Sequence, residues 1–419
     1  MQLLPPLPTD RPSTVSWVTE HLGHLSHDVP TASPAFVGGQ RAADEALAAL
    51  DVRGYARKRS MVHPPSARGA SKLSPYIRHG LLDLPTVWAR VEDAPNYDRF
   101  RYQGELLWQE YARHWYALFG TATRRPLTHQ PPRATTPWEQ PPWWSDMACI
   151  DATLTELETD GWCVNQTRMW LAGQYSLRGH GDPAVGETEM FRHLLDGSRA
   201  ANRMGWQWAA GTSRPKAYNF AKRQVAKRAP AFCDRCTLQD DCPIRAYAKP
   251  ARRQRLESPK PAAADTAFGP LTVGSPEITA SAVWLTAESL GTSDPALAAH
   301  PDLPAFFVFD EPLLQRLMLS GKRLIFLAET LAEIQHDRQL DVYLGSPAEI
   351  VEPLDVVTTF APVPGFASRS AAARSAALRP WLWLRPPTDE LCEHLVSKQA
   401  MPSFKQWCQL TKPSAQRAT

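Results

Sequence analysis

Residues 187–213 read ETEMFRHLLDGSRAANRMGWQWAAGTS, and the fold turns on Asp196-Gly197-Ser198-Arg199-Ala200-Ala201-Asn202 followed by Gly205-Trp206-Gln207-Trp208. Asp196-Gly197-Ser198 predicts a turn and a helix start, since Asp and Ser oxygens accept first-turn N–H groups that no helical carbonyl reaches. Trp206 and Trp208, two apart, cannot share one helix face, so one is expected inside and the other at a cavity or in solvent. A buried indole also needs a partner for its N–H. From pattern alone the bland alternative, a helix end closing an aromatic core, stays open.

Working outward, 419 residues, 43% hydrophobic and 21% charged, are enough for two or three domains with real cores. The net charge of +3 diagnoses nothing by itself, but residues 214–260 carry 13 Lys/Arg against 4 Asp/Glu. Such a stretch is either a solvated face or a phosphate-facing surface. The start, MQLLPPLPTDRP, lacks a basic leader and a long apolar run, and no stretch approaches the roughly 18 apolar residues of a membrane span. The expectation is a cytoplasmic monomer without membrane attachment. Seven cysteines, an odd number, argue against a disulfide framework and for metal or redox use.

The patterning predicts four regions. Residues 1–35, rich in Pro, Ser and Thr, read as an arm. Residues 36–248 read as helical: an Ala/Leu/Glu pattern runs to Leu50, and FRYQGELLWQEYARHWYALF at 100–119 spaces apolar and aromatic residues three and four apart. Residues 249–278, rich in Pro, Ala and basic residues, read as a linker. From 279 to 412 the period changes. Buried runs at 282–285, 305–309, 340–344 and 356–360 alternate with helices such as 321–337, which predicts a parallel α/β sheet.

The central stretch closely resembles the flavin-binding motif of the DNA photolyase and cryptochrome family, L-x-D-G-D-x-A-x-N-x-x-G-W-Q-W. Gly69-Ala70-Ser71-Lys72-Leu73-Ser74-Pro75 resembles the family's G-T-S-x-L-S-P, and Gly161-Trp162-Cys163-Val164-Asn165-Gln166-Thr167-Arg168-Met169 its G-W-x-x-N-R-x-R-M. The order V-W-L strand, Ser293-Asp294-Pro295, V-F-D strand, Gly321-Lys322-Arg323 is similar to the family's antenna domain, and Ser403-Phe404-Lys405-Gln406-Trp407 to the segment that leads into its helical domain. The implied architecture is a two-domain α plus α/β protein: an all-helical FAD-binding domain followed by a C-terminal Rossmann-like antenna-type domain. The family has the opposite order, so the chain reads as a circular permutant.

The resemblance implies FAD held by Tyr55, Ser71, Leu73, Ser74, Arg168, Asp196, Ser198 and Asn202, with Arg168 paired to Asp196. It places Glu105, Trp108, Asn165, Met169 and Trp208 around a lesion flipped out of UV-damaged DNA, and makes Trp206 the first electron-transfer residue. Departures matter too. Ala70 replaces a Thr, and Gln109 and Gln166 replace arginines. Pro183 stands where the next tryptophan of the electron chain would be, so either Trp138, Trp143 or Trp144 takes that role or photoreduction is slow. Val164-Asn165 lacks the histidines that six-four photoproduct repair uses, so cyclobutane dimer splitting is the permitted repair.

Cys233-Asp234-Arg235-Cys236 followed by Cys242-Pro243 has a spacing that suits an iron–sulfur cluster needing a fourth thiolate. Asp146-Met147-Ala148-Cys149 resembles the segment that supplies it in the family's iron–sulfur bacterial branch. The implied ligands of a 4Fe–4S cluster are Cys149, Cys233, Cys236 and Cys242, with four-thiolate zinc as the alternative. Cys163, Cys392 and Cys408 have no partner pattern. No antenna-chromophore motif is recognisable, so the second domain is either empty or holds an unidentified pigment. Functionally the expectation is a blue-light-driven photolyase; a cryptochrome-like photoreceptor without repair, or a dark redox module, are the rivals.

Overall fold

The computed structural model describes residues 1–131, 146–248, 253–273, 278–363, 366–371, 373 and 375–412. The expected tryptophans Trp138, Trp143 and Trp144, and parts of the expected linker, lie outside these residues.

Six strands form one sheet: β1 (Gln2–Leu3), β2 (Ala282–Leu285), β3 (Ala305–Asp310), β4 (Leu340–Gly345), β5 (Val356–Thr359) and β6 (Ala376–Arg379). Their order is β1-β4-β3-β2-β5-β6. β2 to β6 are parallel, as expected for the four apolar runs of β2 to β5; β6 was not foreseen, and β1 is antiparallel to β4 through Gln2↔Leu344 and Leu3↔Tyr343. The sheet is therefore mixed. Alternation sorts its side chains: Val283, Leu285, Phe307, Phe309, Val342 and Leu344 enter the main core, while Ala282, Trp284, Phe306, Val308 and Val356 fill a smaller core on the opposite face.

The first 35 residues are not a free arm. β1 extends the sheet, and helix Arg11–Leu22 lies on helix Gly321–Asp337, burying Thr14, Trp17, Val18 and Leu22 on one face. Asp10 starts that helix by accepting from the Ser13 N–H at 3.0 Å. A two-residue strand paired across the chain carries no local period.

In the helical half, Asn96–Phe119 runs the length of the domain, and Arg199–Ala210 packs on it and on Asn165–Gly173 and Pro183–His193. A second correction concerns the chain after the sheet. Leu391, Leu395 and Trp407 do not join the α/β core; they pack with Tyr111, Leu118 and Phe119 of the Asn96–Phe119 helix. Phe268, in the expected linker, is fully buried in the same cluster. That long helix is aromatic on more than one face, and its second face needs a cover. Buried Glu110 anchors the cover by accepting the Leu384 N–H at 2.7 Å.

Candidate functional site

The Leu195–Gly197 turn is gripped from both halves of the molecule. The Gly197 carbonyl accepts Arg78 Nε at 2.8 Å and Arg323 Nη2 at 2.7 Å, the latter from the sheet domain's longest helix. A Cβ on Gly197 would collide with the Arg323 guanidinium, which is why the turn needs glycine there. His79, fully buried, bridges the carbonyls of Leu195 and Ala287 at 3.1 and 2.8 Å. Burial pushes its pKa well down, against the upward pull of those two carbonyls.

With the turn fixed, the Asp196 carboxylate meets Arg168 in a two-pronged pair, Nη1–Oδ1 3.0 Å and Nη2–Oδ2 2.8 Å, while Arg168 Nε donates to the Cys163 carbonyl at 2.9 Å. The expected pairing of these two residues is present. Ser198 does begin the Arg199–Ala210 helix, but its hydroxyl caps no N–H, contrary to the capping reading of the turn. Backbone contacts to Gly197 hold the turn instead. Asn202 donates its amide to Glu187 at 3.0 Å, and Glu187, 2% exposed, also pairs Arg199 at 2.5 Å. Glu187 thus fixes the Asn202 orientation, a role that pattern reading missed.

Tyr55 and Ser71 are brought together by the Asn96–Phe119 helix. Tyr55 and Tyr102 meet edge-on with centroids 5.0 Å apart, and Ser71 hydrogen-bonds Tyr102. One helical turn on, Glu105 pairs with Arg59. Burial pushes the Glu105 carboxyl up, and Arg59 opposes the shift. Arg59 was not foreseen, although it lies four residues after Tyr55. Ser74 accepts the Trp162 indole N–H at 3.0 Å, and Leu73 is fully buried, so Leu73 can offer a ligand only its backbone.

Trp206 is 3% exposed and its indole N–H has no partner among the described residues, whereas Trp208 is half-buried, which is the inside–outside split expected of the pair. Beside Trp206, at 6.0 Å, stands Tyr175. It lies in a single π-helical turn, Gln174–Arg178, that ends the Asn165–Gly173 helix. Such turns re-aim side chains at functional sites. Gly186 makes room: a Cβ there would strike both the Trp206 and the Tyr175 rings. Sequence gave no period by which to find Tyr175.

The remaining lesion-side candidates are not joined. Among the described residues no hydrogen bond or ring contact links Glu105, Trp108, Asn165, Met169 and Trp208 to one another. Asn165 is exposed and Met169 half-buried. Trp108, 43% exposed, has one face stacked on Phe404 at 3.8 Å and 11°. Trp208 carries the Arg214 guanidinium over its ring at 3.8 Å. Gln166 donates to the Tyr218 hydroxyl at 2.7 Å.

The four expected ligand cysteines converge. Cys149, Cys233, Cys236 and Cys242 line one recess with apolar walls from Met147, Val225, Phe232 and Leu238, and Lys222 at its side. Burial, then the other three sulfurs, push the Cys149 thiol up to about 12. Helix Ala148–Asp160 delivers Cys149, and the short Pro230–Asp234 helix delivers Cys233. Cys163 is fully buried elsewhere, and Cys392 and Cys408 are half-buried.

Residues 102–229 match the FAD binding domain of DNA photolyase. The chain is 32% identical over 166 residues to a deoxyribodipyrimidine photo-lyase of Thermus thermophilus, covering 38% of each protein. It is 29% identical over 167 residues to one of Vibrio cholerae, covering 35% of this chain and 34% of that one. The match thus spans well under half the length of these relatives. Among solved structures, a Synechocystis cryptochrome aligns with a TM-score of 0.41 at 22% identity over 48% of this chain and 45% of that one. An archaeal photolyase of Sulfolobus tokodaii aligns at 0.40 and 20% identity, covering 52% and 54%. These structural likenesses are weak, and the sequence match is the stronger one. Within the helical half, residues 102–229 are therefore similar in sequence to the FAD binding domain of DNA photolyase.

Proposed function

We propose that this chain is a FAD-dependent, blue-light-driven DNA repair protein that splits cyclobutane pyrimidine dimers. The observation that carries the reading is the two-pronged Arg168–Asp196 pair, held on the Gly197 turn inside the stretch that matches the FAD domain. Reduced FAD, when bound, supplies the electron that opens the dimer and receives it back. The residues present fit that group. Tyr55, Ser71 and Tyr102 gather hydroxyl donors suited to a diphosphate, Arg168 supplies a cation that favours negative charge on a reduced ring, and the buried Trp206 N–H is a donor awaiting an acceptor.

The chain's own residues would do the rest. Asn202, fixed by Glu187, is an amide and brings no readily released proton. Glu105, paired with Arg59, would hydrogen-bond the flipped lesion through its carboxyl, with Arg59 setting its orientation. Asn165 and Met169 would contact the flipped bases. The cations of 214–260 favour phosphate contact: among the described residues none has a carboxylate within ion-pair distance, and Arg223 instead leans on Tyr247. A flipped lesion would thus sit beside a positive track.

The four-cysteine recess would hold a 4Fe–4S cluster. Tetrahedral zinc with Zn–S of about 2.3 Å needs sulfurs about 3.8 Å apart. No three of these sulfurs lie within 4.8 Å of one another, which favours the larger cluster. Analysis for iron and acid-labile sulfide, expected equimolar and lost in Cys242→Ser, decides it. We also read the domain order as a permutation, in keeping with a sheet that follows the helical domain yet takes its edge strand from the first residues.

A second reading, a photoreceptor without repair, is favoured by the Phe404 ring covering one face of Trp108. The deciding experiment mixes reduced protein with an oligomer holding one thymine dimer, with and without blue light. Restored thymine absorbance only in light supports repair. Flavin binding and photoreduction with no restored absorbance would leave the photoreceptor.

A further inference from the structure

Away from the flavin motif and the cysteine recess, two imidazoles and a carboxylate meet where the N-terminal segment crosses the end of helix Pro183–His193. We infer that His27, Glu189 and His193 form a binding site for a divalent transition metal of the zinc class. Their ligand atoms all lie within 4.8 Å of one another. Glu189 and His193 are one helical turn apart on the same face, with Oε1 and Nε2 separated by 3.6 Å. That is close to the edge of a tetrahedron with metal–ligand bonds of about 2.0–2.1 Å, roughly 3.4 Å. The His27 ring meets His193 edge-on, centroids 5.4 Å apart.

The surroundings prepare these groups. Arg192 Nη1 takes the other Glu189 oxygen at 2.6 Å, which holds the carboxylate and leaves Oε1 facing His193. His193 is 7% exposed, and its Nδ1 is buried with no partner among the described residues. The segment bearing His27 is pinned by its own N–H to the Leu319 carbonyl at 3.0 Å and by Asp28, which accepts the Gly321 N–H at 2.6 Å. Asp28 is committed to Gly321 and Lys322 and is not counted as a ligand. His27 is exposed, so the fourth position opens to water. Two imidazoles with one carboxylate select zinc, cobalt, nickel or copper over magnesium or calcium. The site would tie the N-terminal segment to the helix that leads directly into the Leu195–Gly197 turn. It does not depend on the flavin or the repair reading.

The test uses the full chain with its cysteine recess loaded, titrated with cobalt chloride and, in parallel, zinc chloride by calorimetry. The expected result is one cobalt per chain with visible bands of nitrogen and oxygen ligation and no thiolate charge-transfer band. His27→Ala and Glu189→Gln should each weaken zinc binding by on the order of a hundredfold, at or beyond the range for lost supporting contacts. Zinc should also raise the melting temperature of the parent and not of His27→Ala, whose exposed position leaves the metal-free fold intact. Absence of a one-to-one site, affinity unchanged in both variants, or a charge-transfer band that disappears in Cys242→Ser would overturn the assignment.

Discussion

Replacing Asp196 by Asn keeps the shape of the side chain and removes its charge. Arg168 would lose a partner for two guanidinium N–H groups that now sit at 3.0 and 2.8 Å from carboxylate oxygens. One amide oxygen can accept only one of them, and the amide NH2 faces the guanidinium, donor against donor. Asp196 is 9% exposed, so water does not make good the loss. Breaking a buried ion pair by removing one partner costs about 3–5 kcal/mol. For a domain of this size each kcal/mol lowers the melting temperature by about 2–4 °C, so the drop should be roughly 6–20 °C. The assay is thermal and urea unfolding of flavin-free protein, which separates the pair's own contribution from that of a bound group. The double variant Arg168→Met with Asp196→Leu removes both charges and should be more stable than Asp196→Asn, since no charge is left buried alone. A melting temperature within about 2 °C of the parent for Asp196→Asn would refute the view that this pair holds the turn.

Tyr175→Phe keeps the ring against Trp206 and removes the oxidisable hydroxyl; stability should change by no more than about 1 kcal/mol, and light-driven flavin reduction, followed by absorbance, should slow markedly if Tyr175 takes the place vacated at Pro183. Burial lowers His114 to about 3, where it accepts the Trp407 indole N–H at 3.1 Å. Between its unfolded value near 6.5 and that value the unfolded chain binds the extra proton, so stability falls as pH falls, by about 1.4 kcal/mol per unit from this group. His114→Gln should flatten the urea midpoint against pH below about 6.5 by that slope; parallel curves would show that His114 is not held neutral. Phe404→Ala should cost about 1–3 kcal/mol, since the ring is half-buried. It should also tighten binding of a dimer-containing oligomer in a filter or anisotropy assay. Unchanged affinity would mean that the covered face of Trp108 is not a wall of the lesion pocket.

Local chemistry was legible at several short patterns. Asp196-Gly197, Arg168, the four cysteines and the apolar strand runs each depend on a short pattern, and the structure brings Arg168 to Asp196 and the four sulfurs to one recess. The strands at 282–285, 305–310, 340–345 and 356–359 follow the apolar runs because both faces of the sheet's parallel part are packed, and only Asp310, Asp341 and Tyr343 among them are half-buried. Only tertiary structure decided the rest, because each such case depends on contacts between residues far apart in the chain. Gln2–Leu3 become a strand only because β4 offers an open edge, and Phe268, Leu391 and Trp407 are buried only because the Asn96–Phe119 helix has a second aromatic face to cover. Tyr175 reaches Trp206 from a single π turn, which no apolar period announces. Arg59 and Glu187 find their partners across helix seams. His27 lies more than 160 positions from Glu189 and His193, and no spacing in the sequence announces that three ligating side chains will share one corner.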